Sequence, residues 1–325
     1  MSTPVRLAVV IGAGRSGTSA ITRALGALGY DLGNQLKPGG VRKNPKGFFE
    51  DEILLEITQT VHRLVGLHPT GRNVHLIPEA AWSNPALEPL QHRALQQLQG
   101  HLDRAGCFAF KAGGLLRVLP FWEQVLANLN IEVGFVMALR NPLNVAQSRA
   151  RLDTLRGQQT KSDLEWLTGN LSYLPRLKER LLVAVDYDLM MSAPEGQCLR
   201  LAEALGHGAP DQAAIADYAG SFLTKDLYHH RADMDHLAQH AQVLPLARDT
   251  FLLLHQLAED AKSGQDSGFW EALVPLHREL MRLGPLLDHV DQLEDRLRER
   301  HGGLGGLWAT IRPRLLGQQV SSPTS

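Results

Sequence analysis

Apolar residues along this chain gather in two ways, in short nearly unbroken runs and in stripes spaced by threes and fours. The runs fall at 5–11, 107–110, 131–139 and 181–185. Runs without polar alternation suit parallel strands that are covered on both faces. The stripes predict helices over 18–28, 51–64, 90–104, 115–129 and 159–180, and another from Pro142 onward. Strand and helix alternate through roughly the first two hundred residues, the pattern of an α/β fold in three layers around a short parallel sheet.

Two strand ends carry the chemistry. The first strand runs into Gly12-Ala13-Gly14-Arg15-Ser16-Gly17-Thr18-Ser19, and a helix follows at once. Glycines there permit unusual backbone angles and close approach of a ligand. The N–H groups that open a helix have no internal partner and hold anions, and Arg15 adds a charge-assisted fork. The run is neither GxxxxGK[ST], since no Lys precedes Thr18, nor GxGxxG, since Gly17 falls at the wrong offset. A tight turn without a ligand would not need an Arg and two hydroxyls.

The second junction is Arg140-Asn141-Pro142, with Pro142 suited to a helix's first turn. Asn144 and Ser148 lie one turn apart and share a face. Arg140, Ser148 and Arg15 together imply a ligand with two separate anionic groups. A third strand ends in Lys111, where open α/β sheets place ligands. Lys111 either neutralises charge on a transferred group or marks the strand leaving the core. Glu50, beside Phe48 and Phe49, is either a general base or a capping acid at a helix start.

Charge changes this picture only locally. With 33 Lys and Arg against 34 Asp and Glu, the formal net charge is -1, which gives no nucleic-acid signature. The basic loop 34–47 could meet an anionic or polar substrate. The loop-rich stretch 66–89 is expected to line or cover something. Histidines are scattered, so no metal site is expected. Of two cysteines, Cys107 in an apolar run reads as a buried thiol, and no disulfide scaffold follows. No apolar run is long enough to span a membrane, no leader is visible, and cytoplasm is the default expectation.

After Gly206 the character changes. Residues 222–231 suggest a lid or a nucleotide-side contact. Helices follow over 243–262 and 269–300, broken at 264–268. Leu273, Leu276, Leu280, Leu283, Leu287, Val290, Leu293 and Leu297 form a stripe that either packs on the main domain or dimerises as a coil. The expected division is a catalytic domain over 1–235, a helical C-terminal extension over 236–317 packed on it, and a disordered tail over 318–325.

These motifs resemble those of sulfotransferases that use 3'-phosphoadenylyl sulfate (PAPS), in particular the bacterial type. Arg15-Ser16-Gly17-Thr18, with Gly14 and Ser19 alongside, is similar to the family's loop for the 5'-phosphosulfate. Arg140, Pro142 and Ser148 are similar to the set that binds the 3'-phosphate. Gly47-Phe48-Phe49-Glu50 and Tyr187-Asp188-Leu189 resemble further family stretches, and the likeness covers roughly residues 5–208. There are two departures. Lys111-Ala112-Gly113-Gly114 keeps the family's Lys but not the Pro-Arg or His that often follows, and no Arg-Lys-Gly-x-x-Gly loop is found near the C-terminus.

The resemblance implies transfer of a sulfuryl group from PAPS to a hydroxyl or amine of an unidentified small-molecule, carbohydrate or lipid acceptor, without a metal. Glu50, Lys111 and Arg15 would be catalytic, and Glu50 rather than a His would be the base. The competing enzyme reading is a P-loop kinase of nucleotides or small molecules, disfavoured by the missing Lys. The competing non-enzyme reading is an inactive nucleotide-binding scaffold.

Overall fold

In a computed structural model, residues 5–40, 46–223, 234–259 and 266–298 are described. Four strands form one parallel sheet in the order β2-β1-β3-β4: β1 (Leu7–Ile11), β2 (Phe108–Lys111), β3 (Val133–Leu139) and β4 (Leu181–Asp186). The register aligns Val9 with Phe110 on one side and with Phe135 on the other, and Val136 with Val183.

The side chains of a strand point alternately to opposite faces, and here both faces are covered. Leu7, Val9 and Ile11 join Phe108, Phe110, Phe135 and Met137 in one core cluster. Ala8 and Val10 join Ala109, Val136 and Val183 in another. On the second face lie α1 (Thr18–Ala27), α8 (Pro194–Ala204) and α9 (Gln212–Asp217), through Ile21, Leu25, Leu201 and Ile215. The first face carries α2 (Glu52–Leu64), α3 (Glu88–Ala105), α4 (Leu119–Leu126) and α6 (Gln159–Leu171). Two more helices at the carboxyl ends of β3 and β4 are α5 (Pro142–Ala150) and α7 (Tyr187–Ser192).

The expected helix over 115–129 begins as a 3-10 turn, Leu115–Val118. The one over 159–180 stops at Leu171, and Leu174 and Leu177 reach the core from a separate 3-10 turn that opens at Pro175's neighbour Leu174. Helix α10 (Met234–Gln239) is short. Helices α11 (Pro245–Glu259) and α12 (Ser267–Arg282) bury Phe251, Leu254, Leu273 and Leu280 in the same cluster as the strands. A turn at Leu283 divides the expected 269–300 helix, and a further helix covers 284–298. Leu287 is buried while Leu293 and Leu297 are exposed. Cys107 is only partly buried, because it precedes β2 rather than lying in it, whereas Cys198 is buried. The expected lid over 222–231, the basic residues 41–45 and the tail over 318–325 fall mostly or wholly outside the described residues. Among the described residues no helix is long and apolar enough to cross a membrane.

The sheet order places a reversal of connection at β1. From β1 the chain passes to β2 on one side, and from β2 it crosses back to β3 on the other side of β1. In open α/β sheets ligands bind beyond the strand carboxyl ends at such a switch point.

Candidate functional site

All four strands deliver polar residues at that edge. After β1 the chain turns sharply. Gly12 holds φ 130°, and a Cβ there would fall 2.4 Å from Ala138 O on β3. Asn170 on α6 supports the turn by accepting from Ala13 N–H at 2.8 Å. Ser16 N–H donates to Ala13 O at 3.2 Å. Arg15 itself sits at φ 78°, a left-handed conformation that non-glycine residues rarely adopt, so the loop holds this guanidinium in place at some cost. Helix α1 then starts at Thr18, and no side chain caps it. Its N-terminus is therefore suited to an external anion.

Gly17 has a second reason to be glycine. A Cβ there would lie 2.2 Å from Tyr187 Cδ2. Tyr187 follows β4, so its ring backs the glycine loop after β1. The same ring carries the Arg140 guanidinium, 4.7 Å from its centroid. Asp188 lies 3.9 Å from Arg140 Nε and accepts from Asn144 Nδ2 at 2.9 Å. Asp186 accepts from the N–H groups of Asp188 and Leu189 and so caps this turn.

Arg15, Ser148 and Arg140 come together. Arg15 Nε donates to Ser148 Oγ at 3.0 Å, and Arg140 donates to Arg15 O at 3.4 Å. Burial and then the neighbouring Arg140 push the Arg15 guanidinium below its usual value. Two cations held this close favour an anion between them. Arg140 Nε is buried and, among the described residues, has no hydrogen-bond partner.

A cavity of about 650 Å³ opens beside the loop. Gly14, Arg15, Thr18 and Ser19 line it, and so do Glu50 and Lys111. Ser16, Gly17, Arg140 and Ser148 do not. Ser16 is fully buried and its N–H closes the turn, so its contribution is to the shape of the loop.

Glu50 is not the helix cap. That role belongs to Asp51, which accepts from Ile53 N–H and Leu54 N–H. The Glu50 carboxylate instead meets Lys111 Nζ at 3.0 Å and Lys37 Nζ at 3.6 Å, with the Glu50 and Lys111 side chains both 6% exposed. Burial pushes the Lys111 ammonium below its usual value, and Glu50 opposes that. The two residues singled out separately in the sequence are thus one ion pair in the cavity wall. Gly113 lies beside it, where a Cβ would come 3.8 Å from Glu50 Oε1.

Sequence reasoning missed Arg149. It lines the cavity, donates to Gly14 O at 3.3 Å, and is anchored by Ser162 O at 2.6 Å and Glu165 at 3.6 Å. Burial lowers its pKa to about 10. It directly follows Ser148, which was the only signal. Loop 66–89 does line the cavity, through His68, Pro69, Thr70 and Arg72. Among the described residues no group of three His, Cys, Asp or Glu side chains could hold a metal.

No protein-family model matches the chain, and no curated protein matches it. Among solved structures, the sulfotransferase domain of the Synechococcus PCC 7002 olefin synthase is similar at 18% identity and a TM-score of 0.41, over 80% of this chain and 95% of that one. The sulfotransferase domain from the curacin biosynthetic pathway is similar at 13% identity and a TM-score of 0.41, over 81% and 99%. Sulfotransferase STF9 from Mycobacterium avium is similar at 13% identity and a TM-score of 0.41, over 81% and 77%. Likeness this distant carries no weight for activity or substrate, which rest on the site itself.

Proposed function

We propose that this chain is a PAPS-dependent sulfotransferase acting on a hydroxyl or amine. The observation that carries the reading is the convergence of Arg15, Ser148 and Arg140 at the uncapped start of α1, next to a cavity whose wall holds a buried carboxylate.

The residues fit a ligand with two anionic groups. Arg15, Thr18, Ser19 and the opening amides of α1 would hold the 5'-phosphosulfate. Arg140 and Ser148 would hold the 3'-phosphate, and the buried Nε of Arg140, which makes no hydrogen bond among the described residues and faces Asp188 at 3.9 Å, fits that task. PAPS, when bound, supplies a sulfuryl group activated by its anhydride bond to the 5'-phosphate. Arg15 and the helix start would stabilise negative charge there without reorganising. Glu50 takes the proton from the acceptor O–H or N–H. Lys111 fixes the direction of that carboxylate and offsets its charge, so its contribution is positioning as well as electrostatic.

Labelled PAPS and a panel of hydroxylated and amino acceptors test this. Glu50→Gln is expected to lower turnover about 100-fold or more, with adenosine 3',5'-bisphosphate affinity within about twofold of wild type. Near-normal turnover in this variant would remove Glu50 as the base.

A further inference from the structure

Away from the phosphate-type loop, the cavity wall has a surplus of positive charge. Carboxylates near it serve two cations each. Glu50 is shared by Lys111 at 3.0 Å and Lys37 at 3.6 Å. Glu165 is shared by Arg156 at 2.7 Å and Arg149 at 3.6 Å. Glu294 is shared by Lys161 at 2.7 Å and Arg298 at 3.4 Å. The Glu50 and Glu165 sets each hold one more cation than carboxylate, whereas in the third Lys161 also faces Asp291 at 3.9 Å.

Three guanidiniums, Arg72, Arg156 and Arg298, converge from separate segments, each with a carboxylate partner of its own. Arg156 donates to Thr70 O and Gly71 O, both at 3.4 Å, which ties it to the loop that carries His68 and Arg72. Arg72 donates to Asp295 at 3.2 Å, less than one turn before Arg298. All three line the cavity. The His68 imidazole sits among them: burial, then Arg72, Arg298 and Arg156 push its pKa down, and only Asp295 opposes them. Apart from Glu50, the carboxylate lining the cavity is Asp153, and it is turned onto the N–H groups of Leu155 and Arg156. The same cavity has apolar lining from Phe48, Leu55, Leu152 and Leu155, with Leu155 63% exposed.

A neutral acceptor would leave this charge unused, and an anion without an apolar body would leave the leucines wet. We infer that the acceptor is an anionic amphiphile, with a carboxylate, sulfate or phosphate held by Arg72, Arg156 and Arg298, and an apolar body on Leu152, Leu155 and Phe48. The inference rests on the sulfotransferase reading of this cavity and names its acceptor class. Partly exposed guanidiniums bind oxyanions through charge-assisted hydrogen bonds.

The test uses two fluorescent probes that differ by one anionic group, anilinonaphthalene sulfonate and phenylnaphthylamine. Both are titrated into the full chain with adenosine 3',5'-bisphosphate at saturation, so that the donor side is filled. The sulfonate is expected to bind about tenfold tighter or more than the neutral probe. Arg72→Ala/Arg298→Ala should abolish that preference, and Arg72→Lys/Arg298→Lys should keep most of it. Should the alanine pair lose its circular dichroism signal, Arg298→Gln alone is read in its place and should halve the preference or more. Equal wild-type affinities for the two probes, or a preference that survives loss of both arginines, would overturn the inference. Failure of the bisphosphate to bind would instead count against the donor reading, and the probe comparison would then be read on the free protein.

Discussion

Replacing Lys111 by Met tests whether the cavity carboxylate is held as a buried ion pair. Lys111 Nζ lies 3.0 Å from Glu50 Oε1, and both side chains are 6% exposed. At an effective dielectric constant of about 20 the direct attraction is ~5 kcal/mol, most of it offset by the cost of drying both charges. Lys111→Met removes the attraction and leaves the dry carboxylate behind, a change that typically costs ~3–5 kcal/mol. Lys37 Nζ, 3.6 Å from the other oxygen and 37% exposed, recovers part of this. The expected loss is therefore about 2–4 kcal/mol. Glu50→Gln costs less, because Lys111, already pushed down by burial, can shed its proton when the carboxylate goes. The double variant replaces both charges with neutral groups and should lose less than the sum of the singles, with a coupling of about 2 kcal/mol. Urea denaturation of the four proteins near neutral pH gives the cycle. Additive losses, or a Lys111→Met penalty below about 1 kcal/mol, would show that the pair is solvated and that the reasoning on Glu50 fails.

Two further outcomes follow from single contacts. Gly17→Ala places a Cβ 2.2 Å from the Tyr187 ring at φ 83°, and should cost about 2 kcal/mol or more in urea denaturation while weakening bisphosphate binding; a neutral effect would mean the Tyr187 wall can yield freely. Asp163 on α6 is fully buried, accepts from Leu244 N–H at 2.8 Å and from Gln159 Nε2 at 2.7 Å, and burial raises its pKa from 3.8 to about 6. A carboxyl whose folded value is raised stabilises the fold fully below the unfolded value, and that stability drains away as pH rises from 3.8 to about 6. Asp163→Asn can keep both hydrogen bonds by letting its amide donate to Gln159. It should flatten this part of the pH–stability profile and gain about 1–3 kcal/mol at neutral pH. A profile unchanged between pH 4 and 6 would remove Asp163 as its cause.

Much of the layout was legible because parallel strands buried on both faces read as apolar runs. Leu7–Ile11, Val133–Leu139 and Leu181–Asp186 lie where those runs fall, and the polar residues that follow them mark the edge that holds the candidate site. Gly17, Arg15 and Arg140 were readable since each lies just past a strand, and Ser148 since it falls one helical turn after Asn144. The partners were not. Nothing local to Glu50 announces Lys111, and only Asp51's place at the helix start takes the capping role away from Glu50. Tyr187 was visible as a motif residue, but its contact with Gly17 and Arg140 depends on how β4 pairs with β3. Arg72, Arg156 and Arg298 are ordinary surface charges in the sequence, and only the packing of the 284–298 helix against the 66–72 loop gathers them. Helix ends were misjudged at Leu171 and Leu283, where leucine periodicity continues through a turn that keeps the same face buried.

Calorimetric titration of the full chain with adenosine 3',5'-bisphosphate, against AMP and ADP, tests the central claim most directly. The account predicts that the bisphosphate binds at least about tenfold tighter than either control, and that Arg140→Ala removes this advantage while leaving AMP binding nearly unchanged. Binding of ADP or ATP with equal or greater affinity, or a bisphosphate affinity indifferent to Arg140, would contradict it.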